Sequence, residues 1–473
     1  MQVPEGYILI SKVEYEQLRT DNEQLRKQVT LLMERIKELE GMLHKDSHNS
    51  HKPPSSDGLK KKVQNNREKS GRRAGGQTGH EGKTLEMVKN PDHIIEHKVS
   101  HCDHCGTDLS GIETKKMYRG QVHDLPPVKI EVTEHLSEVK QCPVCGKETA
   151  AHCEVPPTAQ YGERIKSLAV YLNQYQMLPF ERTRELMEDL FGGCPSAEVL
   201  QQSNQRCYDN IEHKVEDEIK ESIVQSAVMH NDETGIRCEG KPQWIHVSST
   251  QEQTYFAIDH KRGTEAMDRI NILPRFTGKS IHDRWASYEK YEDAEHFYCN
   301  AHLLRDLASV KEENEKSWAS EMKTILLEAL ALSEQEQTEQ TQIASIEKRY
   351  DTLVTKAIEE EPLPQKPSHQ RGKVAKSKSL KLLECFRDKK EKVLGFLHHP
   401  DVPFDNNLAE RDLRMVKLKQ KISGCFRTRK GAEVFCRIRS YISTLKKQEK
   451  NVWDALQISL SSFQFQPIEI RGG

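Results

Sequence analysis

Between Ile223 and Cys299, short apolar runs alternate with turn signals in an order that few folds can accommodate. Ile223–Asp232 (IVQSAVMHND) is apolar and ends on a carboxylate. Gln243–Ser249 (QWIHVSS) and Thr254–Asp259 (TYFAID) follow at hairpin-like spacing. Thr264–Phe276 reads as a helix with Ala266, Met267, Ile270 and Leu273 turned inward. Gly278–Asp283 (GKSIHD) is a short strand ending on a second carboxylate, and Glu295–Cys299 (EHFYC) is another strand. The order is three strands, a helix, a strand and a final strand.

That order is the one expected of an RNase H-like sheet, and the first and fourth strands each end on an acid where that fold places metal ligands. A third acid comes from DNNLAERDLRMVKLKQK, which begins at Asp405. On one helix, Glu410, Arg414, Lys417 and Lys421 share a face, while Ala409, Leu413 and Val416 form an adjacent apolar stripe. Cutting a phosphodiester requires activating water or a 3'-hydroxyl and stabilising charge on the leaving oxygen. Two divalent ions about 3.5–4 Å apart do both when a few carboxylates converge. Mg2+ or Mn2+ prefers such oxygen ligands, so Asp232, Asp283 and Glu410 are the expected catalytic and metal-binding set. Any one of them alone is more often a turn residue or helix cap. Arg414, Lys417 and Lys421 would then hold the DNA backbone beside the ions. The long Asp283–Glu410 gap predicts a helical insertion over residues 307–400.

Upstream, Cys102-x-x-Cys105 and Cys142-Pro-Val-Cys145 are each followed by glycine, which suits tight thiolate-bearing turns. Two such pairs predict one structural Zn2+ held by Cys102, Cys105, Cys142 and Cys145. Val128, Ile130 and Val132 alternate with polar residues, predicting a strand between the knuckles. His101, His104 and Cys153 are bystanders in this reading. Residues 46–83 are rich in Pro, Gly, Ser and Asn without periodicity, and read as a basic flexible linker. From Lys52 to Lys83 there are nine Lys/Arg against three Asp/Glu, and Lys60, Lys61, Lys62, Arg72 and Arg73 are candidate phosphate contacts.

Residues 12–45 carry a heptad, with Leu18, Leu25, Leu32 and Leu39 at one seam position and Tyr15, Asn22, Val29, Ile36 and Leu43 at the other. This predicts a coiled coil, and a buried Asn22 would favour a parallel homodimer. The alternative is an amphipathic helix packed on its own domain. Residues 156–222 read as helical, with Gly192-Gly193 ending one helix and Pro195-Ser196 opening the next. Helix, glycine turn, helix is compatible with DNA reading and equally with a plain helical subdomain.

The expected protein is therefore multidomain α/β. Its segments are a coiled coil (1–45), linker (46–83), zinc-binding domain (84–155) and helical subdomain (156–222). The first part of the core (223–306), the insertion (307–400), core helices carrying the Glu (401–450) and a C-terminal tail (451–473) follow. A formal charge of -2 argues against a nucleic-acid partner only if it is evenly spread. It is a cancellation: Asp405–Lys450 holds thirteen Lys/Arg against five Asp/Glu, whereas Lys311–Glu361 holds thirteen Asp/Glu against six Lys/Arg. The mean hydropathy is -0.78, and no run of about 18 apolar residues predicts a membrane span. The opening residues lack a secretion-signal pattern and the cysteines are mostly scattered, so a cytoplasmic location is expected.

At these residues the chain closely resembles the large DDE transposase of the insertion-sequence-66 family. The resemblance rests on NSHKPPSSD from Asn49, GGQTGHEG from Gly75, both cysteine pairs and Tyr171–Phe180 (YLNQYQMLPF). It continues through His230–Gly235 (HNDETG), Leu273–Asp283 (LPRFTGKSIHD), Cys299–Leu307 (CNAHLLRDL) and Phe404–Arg414 (FDNNLAERDLR). His51 stands where the family more usually has Ser. The resemblance implies an RNase H-like core interrupted by a helical insertion, with the acidic triad at Asp232, Asp283 and Glu410. It also implies a zinc-binding domain for DNA, an N-terminal dimerising helix and a bacterial, nucleoid-associated setting. Accessory proteins of the same element are further implied partners. Thr234 and His302 match motif positions beside the triad. Its implied activity is binding the element's terminal inverted repeats, cutting at the 3' end and joining that end to target DNA. A non-catalytic dimeric zinc-ribbon DNA-binding protein and a hydrolytic nuclease of the same fold are the competing readings.

Overall fold

The computed structural model describes residues 10–43, 84–211, 214–314, 317–335, 339–361 and 376–461. The linker lies outside the described residues. Helix α1 (Lys12–Leu43) carries the heptad, and its described seam leucines are exposed: Leu18, Leu25 and Leu32 are 60%, 59% and 63% exposed. Among the described residues no helix is long and apolar enough to cross a membrane.

Residues 84–155 contain a short antiparallel ribbon, β1 (Val139–Gln141) with β2 (Glu148–Ala150), around the second cysteine pair and a single antiparallel bridge, His101↔Asp108, around the first. No strand forms at Val128–Val132, contrary to the alternation there; Val128 and Val132 are exposed and only Ile130 is half-buried, beside Gly193, so little of the apolar face has a surface to select it. Four helices follow: α2 (Glu163–Val170, continued by a π turn at Tyr171–Tyr175), α3 (Phe180–Phe191), α4 (Ala197–Asn210) and α5 (Lys214–Val224). Gly192 ends α3 in the left-handed conformation at φ 68°, and Ser196 caps α4 by accepting from the Val199 N–H at 3.3 Å. The exposed face of α3 includes Glu181, Glu185, Glu188 and Asp189 beside Arg182, while α4 is half-sunk through Leu200, Ser203, Asn204, Cys207 and Tyr208.

The sheet comprises β3 (Val228–Cys238), β4 (Lys241–Ser249), β5 (Thr254–Asp259), β6 (Lys279–His282) and β7 (Glu295–Tyr298), in the order β5-β4-β3-β6-β7. The first three are antiparallel, and β6 and β7 run parallel to β3. Three expectations shift. Strand β3 does not end on Asp232, and Ile223 and Val224 close helix α5 instead, because their apolar side chains pack with α5's own Val215 and Ile219. The helix expected over Thr264–Phe276 stops at Ile270 (α6), where Asn271 turns left-handed at φ 59°, and Leu273–Arg275 makes a separate 3-10 turn.

Beyond β7 come α7 (Asn300–Asn314), α8 (Ser317–Ser333), α9 (Gln340–Glu360), α10 (Lys378–Asp388) and α11 (Lys390–His398). These insertion helices start at Asn300, earlier than 307, and enclose an apolar core that reaches Ile281, Phe297 and Tyr298 of the sheet. Helix α11 lies so close to β7 that a Cβ at Gly395 would meet the Phe297 ring at 2.1 Å. Glu289 clamps the same junction, accepting from Lys389 and Lys392 at 2.8 Å and from Tyr298. Burial alone would raise its carboxyl, but these three donors bring it down to about 2.

Helices α12 (Asn407–Ser423), α13 (Arg429–Lys447) and α14 (Val452–Leu460) complete the fold. The stripe Ala409, Leu413 and Val416 is buried against Ile236, Ile245, Val247 and Phe256 of the sheet. Residues 451–461 are not a tail: Val452, Ala455, Leu456 and Leu460 are buried, and Ser459 O accepts from Asn210 at 2.6 Å. A short helix after thirteen basic residues is easily misread as an end segment, and packing on α2 and α4 is what holds it.

Candidate active site

Strand β3 serves two partners of different length. Its parallel pairing with β6 ends at His230↔Ile281, while its antiparallel pairing with β4 runs on to Cys238↔Lys241. The sheet therefore splits just past His230, and Asp232 lies two residues into the split. Asp283 follows directly after β6. Both carboxylates are half-buried and each accepts one backbone N–H, Asp232 from Glu233 at 2.8 Å and Asp283 from Trp285 at 3.0 Å. Burial, then the charge of Glu233, then those of Asp283 and Glu410 push the Asp232 carboxyl well above the usual range.

Glu410 is delivered by a buried polar lattice at the start of α12. Asn406, 1% exposed, donates its backbone N–H to Cys299 Sγ at 3.1 Å and its side-chain amide to Asn231 O at 2.8 Å. Its Oδ1 lies 2.9 Å from His230 Nδ1, and its carbonyl accepts from the Glu410 N–H at 3.2 Å. One turn on, Asp412 accepts from Ser249 (2.6 Å), Thr254 (2.9 Å) and Lys447 (2.9 Å), which pins α12 to the β4–β5 hairpin and to α13. Glu410 Oε1 itself lies 3.5 Å from Arg305 and 3.7 Å from His302. The ligand atoms of Cys299, His302 and Glu410 all lie within 4.8 Å of one another, the only such His/Cys/Asp/Glu group among the described residues. Asp232, Asp283 and Glu410 do not form such a group, but the Asp232 carboxyl feels the charges of both others.

Sequence reasoning missed the cluster behind these acids. Buried Glu233 accepts from Arg262 (2.6 Å) and from the Tyr288 hydroxyl. The Arg262 guanidinium stacks over the Trp285 ring at 4.2 Å and the Trp244 ring at 4.9 Å. Trp285 is also the residue whose N–H holds Asp283. The partners stand 29 and 55 residues from Glu233, so no local spacing announces them. His282, fully buried, stacks on Tyr288 and meets His296 at 3.0 Å. Thr234 is buried in β3.

The basic residues divide. Arg414 and Lys421 are exposed on the same helix as Glu410. Lys417 donates to Gly235 O at 2.9 Å; desolvation holds its ammonium below the ordinary range while the charge of Asp232 opposes the shift. Lys60, Lys61, Lys62, Arg72 and Arg73 lie outside the described residues. At the cysteine pairs, both following glycines are left-handed (Gly106 φ 75°, Gly146 φ 68°), and each closes its turn with an N–H to the first cysteine's carbonyl, at 2.8 and 2.9 Å. Hydrogen bonding to Thr107 and Cys102 lowers the Cys105 thiol, and backbone N–H groups of Cys145 and Val144 lower Cys142. No three of the four sulfurs lie within 4.8 Å of one another.

Two families match this chain. A family of unknown function (DUF6444) matches residues 9–86, the heptad helix and the linker. No curated protein matches it. Residues 158–434, which contain the whole sheet, the insertion and all three acids, match the Transposase IS66 family. A match of that extent, more than half of the sequence, carries membership: the chain belongs to the IS66 family of transposases.

Proposed function

We propose that this transposase binds the terminal inverted repeats of its element, cuts DNA at the 3' end and joins that end to a target. The core in this reading is RNase H-like, and Asp232, Asp283 and Glu410 are its catalytic acids. The observation that carries it is the split in the sheet. It draws on an acid from β3, one directly after β6 and one from the first turn of α12, with Asp232 raised by burial and then by its like-charged neighbours. Such a set fits two oxygen-preferring divalent ions, Mg2+ or Mn2+. When bound, they activate the attacking oxygen and offset charge on the leaving one. Asp232, Asp283 and Glu410 would hold them. Arg414 and Lys421, exposed on the helix that carries Glu410, would seat the DNA backbone. Hydrolysis frees a 3'-hydroxyl, and its attack on target DNA exchanges one phosphodiester for another.

The cysteine pairs, lacking a packed core of their own, are assigned one structural zinc and a role in DNA binding. Helix α1, apolar along one exposed seam, is assigned to self-association with a second copy. Cleavage and strand transfer on DNA carrying the element's ends, with Mg2+ or Mn2+, tests the assignment. Asp232→Asn should lose more than about 100-fold in both steps, beyond what second-shell changes cost. Equal rates in wild type and variant would remove the catalytic assignment. Cutting without joining would restrict the enzyme to a nuclease.

A further inference from the structure

Cys299, His302 and Glu410 come together at the meeting point of two helix starts. Cys299 directly follows β7, His302 sits in the first turn of α7 with its N–H on Cys299 O at 3.2 Å, and Glu410 sits in the first turn of α12. Asn300 N–H donates to Phe404 O at 3.0 Å, which ties the two starts into one frame. Cys299 is buried, while His302 and Glu410 keep 15% and 21% of their side chains exposed, so the cluster has one open side.

The donor set is one sulfur, one imidazole nitrogen and one carboxylate oxygen. That is a set for a borderline-soft ion, with room for a water at the fourth position of a tetrahedron. Mg2+ prefers oxygen throughout. The backbone N–H of Asn406 on Cys299 Sγ is the outer hydrogen bond that a metal-bound thiolate ordinarily receives. Glu410 Oε1 faces both His302 at 3.7 Å and Arg305 at 3.5 Å, so the carboxylate already points into the cluster. Glu410 is the one residue that both this cluster and the carboxylate pair require, and its oxygen sits with Cys299 and His302.

We propose that Cys299, His302 and Glu410 form a further metal site, selective for zinc-class ions, that competes with Asp232 and Asp283 for Glu410. The occupied site is an off state, and Mg2+-supported cleavage requires Glu410 to leave it. The site itself stands on the three ligands; the off state rests on the reading of Glu410 as the third catalytic acid.

The test uses the full chain, loaded with Zn2+, desalted and analysed for metal without DNA. Wild type should hold about one equivalent more than Cys299→Ala and than His302→Gln, since three protein ligands and a water complete one zinc. The second variant covers the case in which loss of a buried thiol unfolds the chain. Equal zinc in wild type and a folded His302→Gln overturns the site. For the off state, added Zn2+ should slow Mg2+-supported cleavage by wild type at least about tenfold, as an ion favouring the withdrawn Glu410 by that factor must. His302→Gln should lose that sensitivity. Zinc that binds without slowing cleavage overturns the off state. A chain with no cleavage under any condition would sink the catalytic reading, and the metal count would still decide the site.

Discussion

Residues 84–155 and residues 163–460 are built on opposite principles. In the first stretch no residue is buried and the turns close locally, one knuckle at a time. In the second, three apolar clusters lie under a five-stranded sheet and its helices. A segment without a core has too little apolar burial to offset its conformational entropy, so it needs a cross-link or a partner. A segment with a core can instead carry costly features, such as the raised Asp232 and the buried Glu233. The acids sit where stability can be sacrificed, and the thiols sit where stability is missing.

The largest effect should come from removing zinc. Chelation, or Cys142→Ser, is expected to unfold residues 84–155 alone, since structural zinc supplies about 10–16 kcal/mol of apparent binding energy in small domains. Limited proteolysis should then cut throughout that stretch and leave the 156–461 body intact. An identical digest with and without metal would break the comparison. Next, deleting residues 1–45 should shift the protein toward monomer in sedimentation while leaving the core's thermal transition in place. A transition that moves with the deletion would mean α1 packs on its own chain.

The smallest effect belongs to the core and is set by pH. Burial holds His230 down to about 4 and His282 down to about 3, so both stay neutral in the folded protein. An unfolded histidine takes up a proton near pH 6.5, so their contribution is complete above that pH. It is lost as pH falls from there toward 4. Each should cost about 1–2 kcal/mol by pH 5, read as a falling thermal midpoint. His230→Gln should flatten part of that slope, and an unchanged slope would place the acid sensitivity elsewhere.

Much of the sheet was legible because alternation and turn residues are local. Thr254–Asp259 is a strand with the predicted bounds, and Lys279–His282 and Glu295–Tyr298 fall within a residue of theirs at each end. The first strand was displaced because Ile223 and Val224 are as apolar as strand residues but finish a helix face. The break at Asn271 and the packed helix Val452–Leu460 were missed for a related reason. A left-handed cap and a docking surface leave little trace in hydrophobic periodicity. The Glu233–Arg262–Tyr288 cluster left none, since its members meet only when the sheet and the turn after β6 are assembled.

The amino-acid sequence alone determined which residue types the protein brings to its chemistry: two acids among the strand-forming segments, a third on a basic helix, two cysteine knuckles and a heptad. Periodicity and spacing are properties of neighbours along the chain, and they need no fold to be read. Only the tertiary structure decided that β3 parts from β6 two residues before Asp232, and that Asn406 anchors the helix start. It also turned Glu410 toward Cys299 and His302, 111 and 108 residues away in sequence. Those arrangements depend on strand register and on buried hydrogen bonds between distant segments, which exist only after the chain has closed on itself.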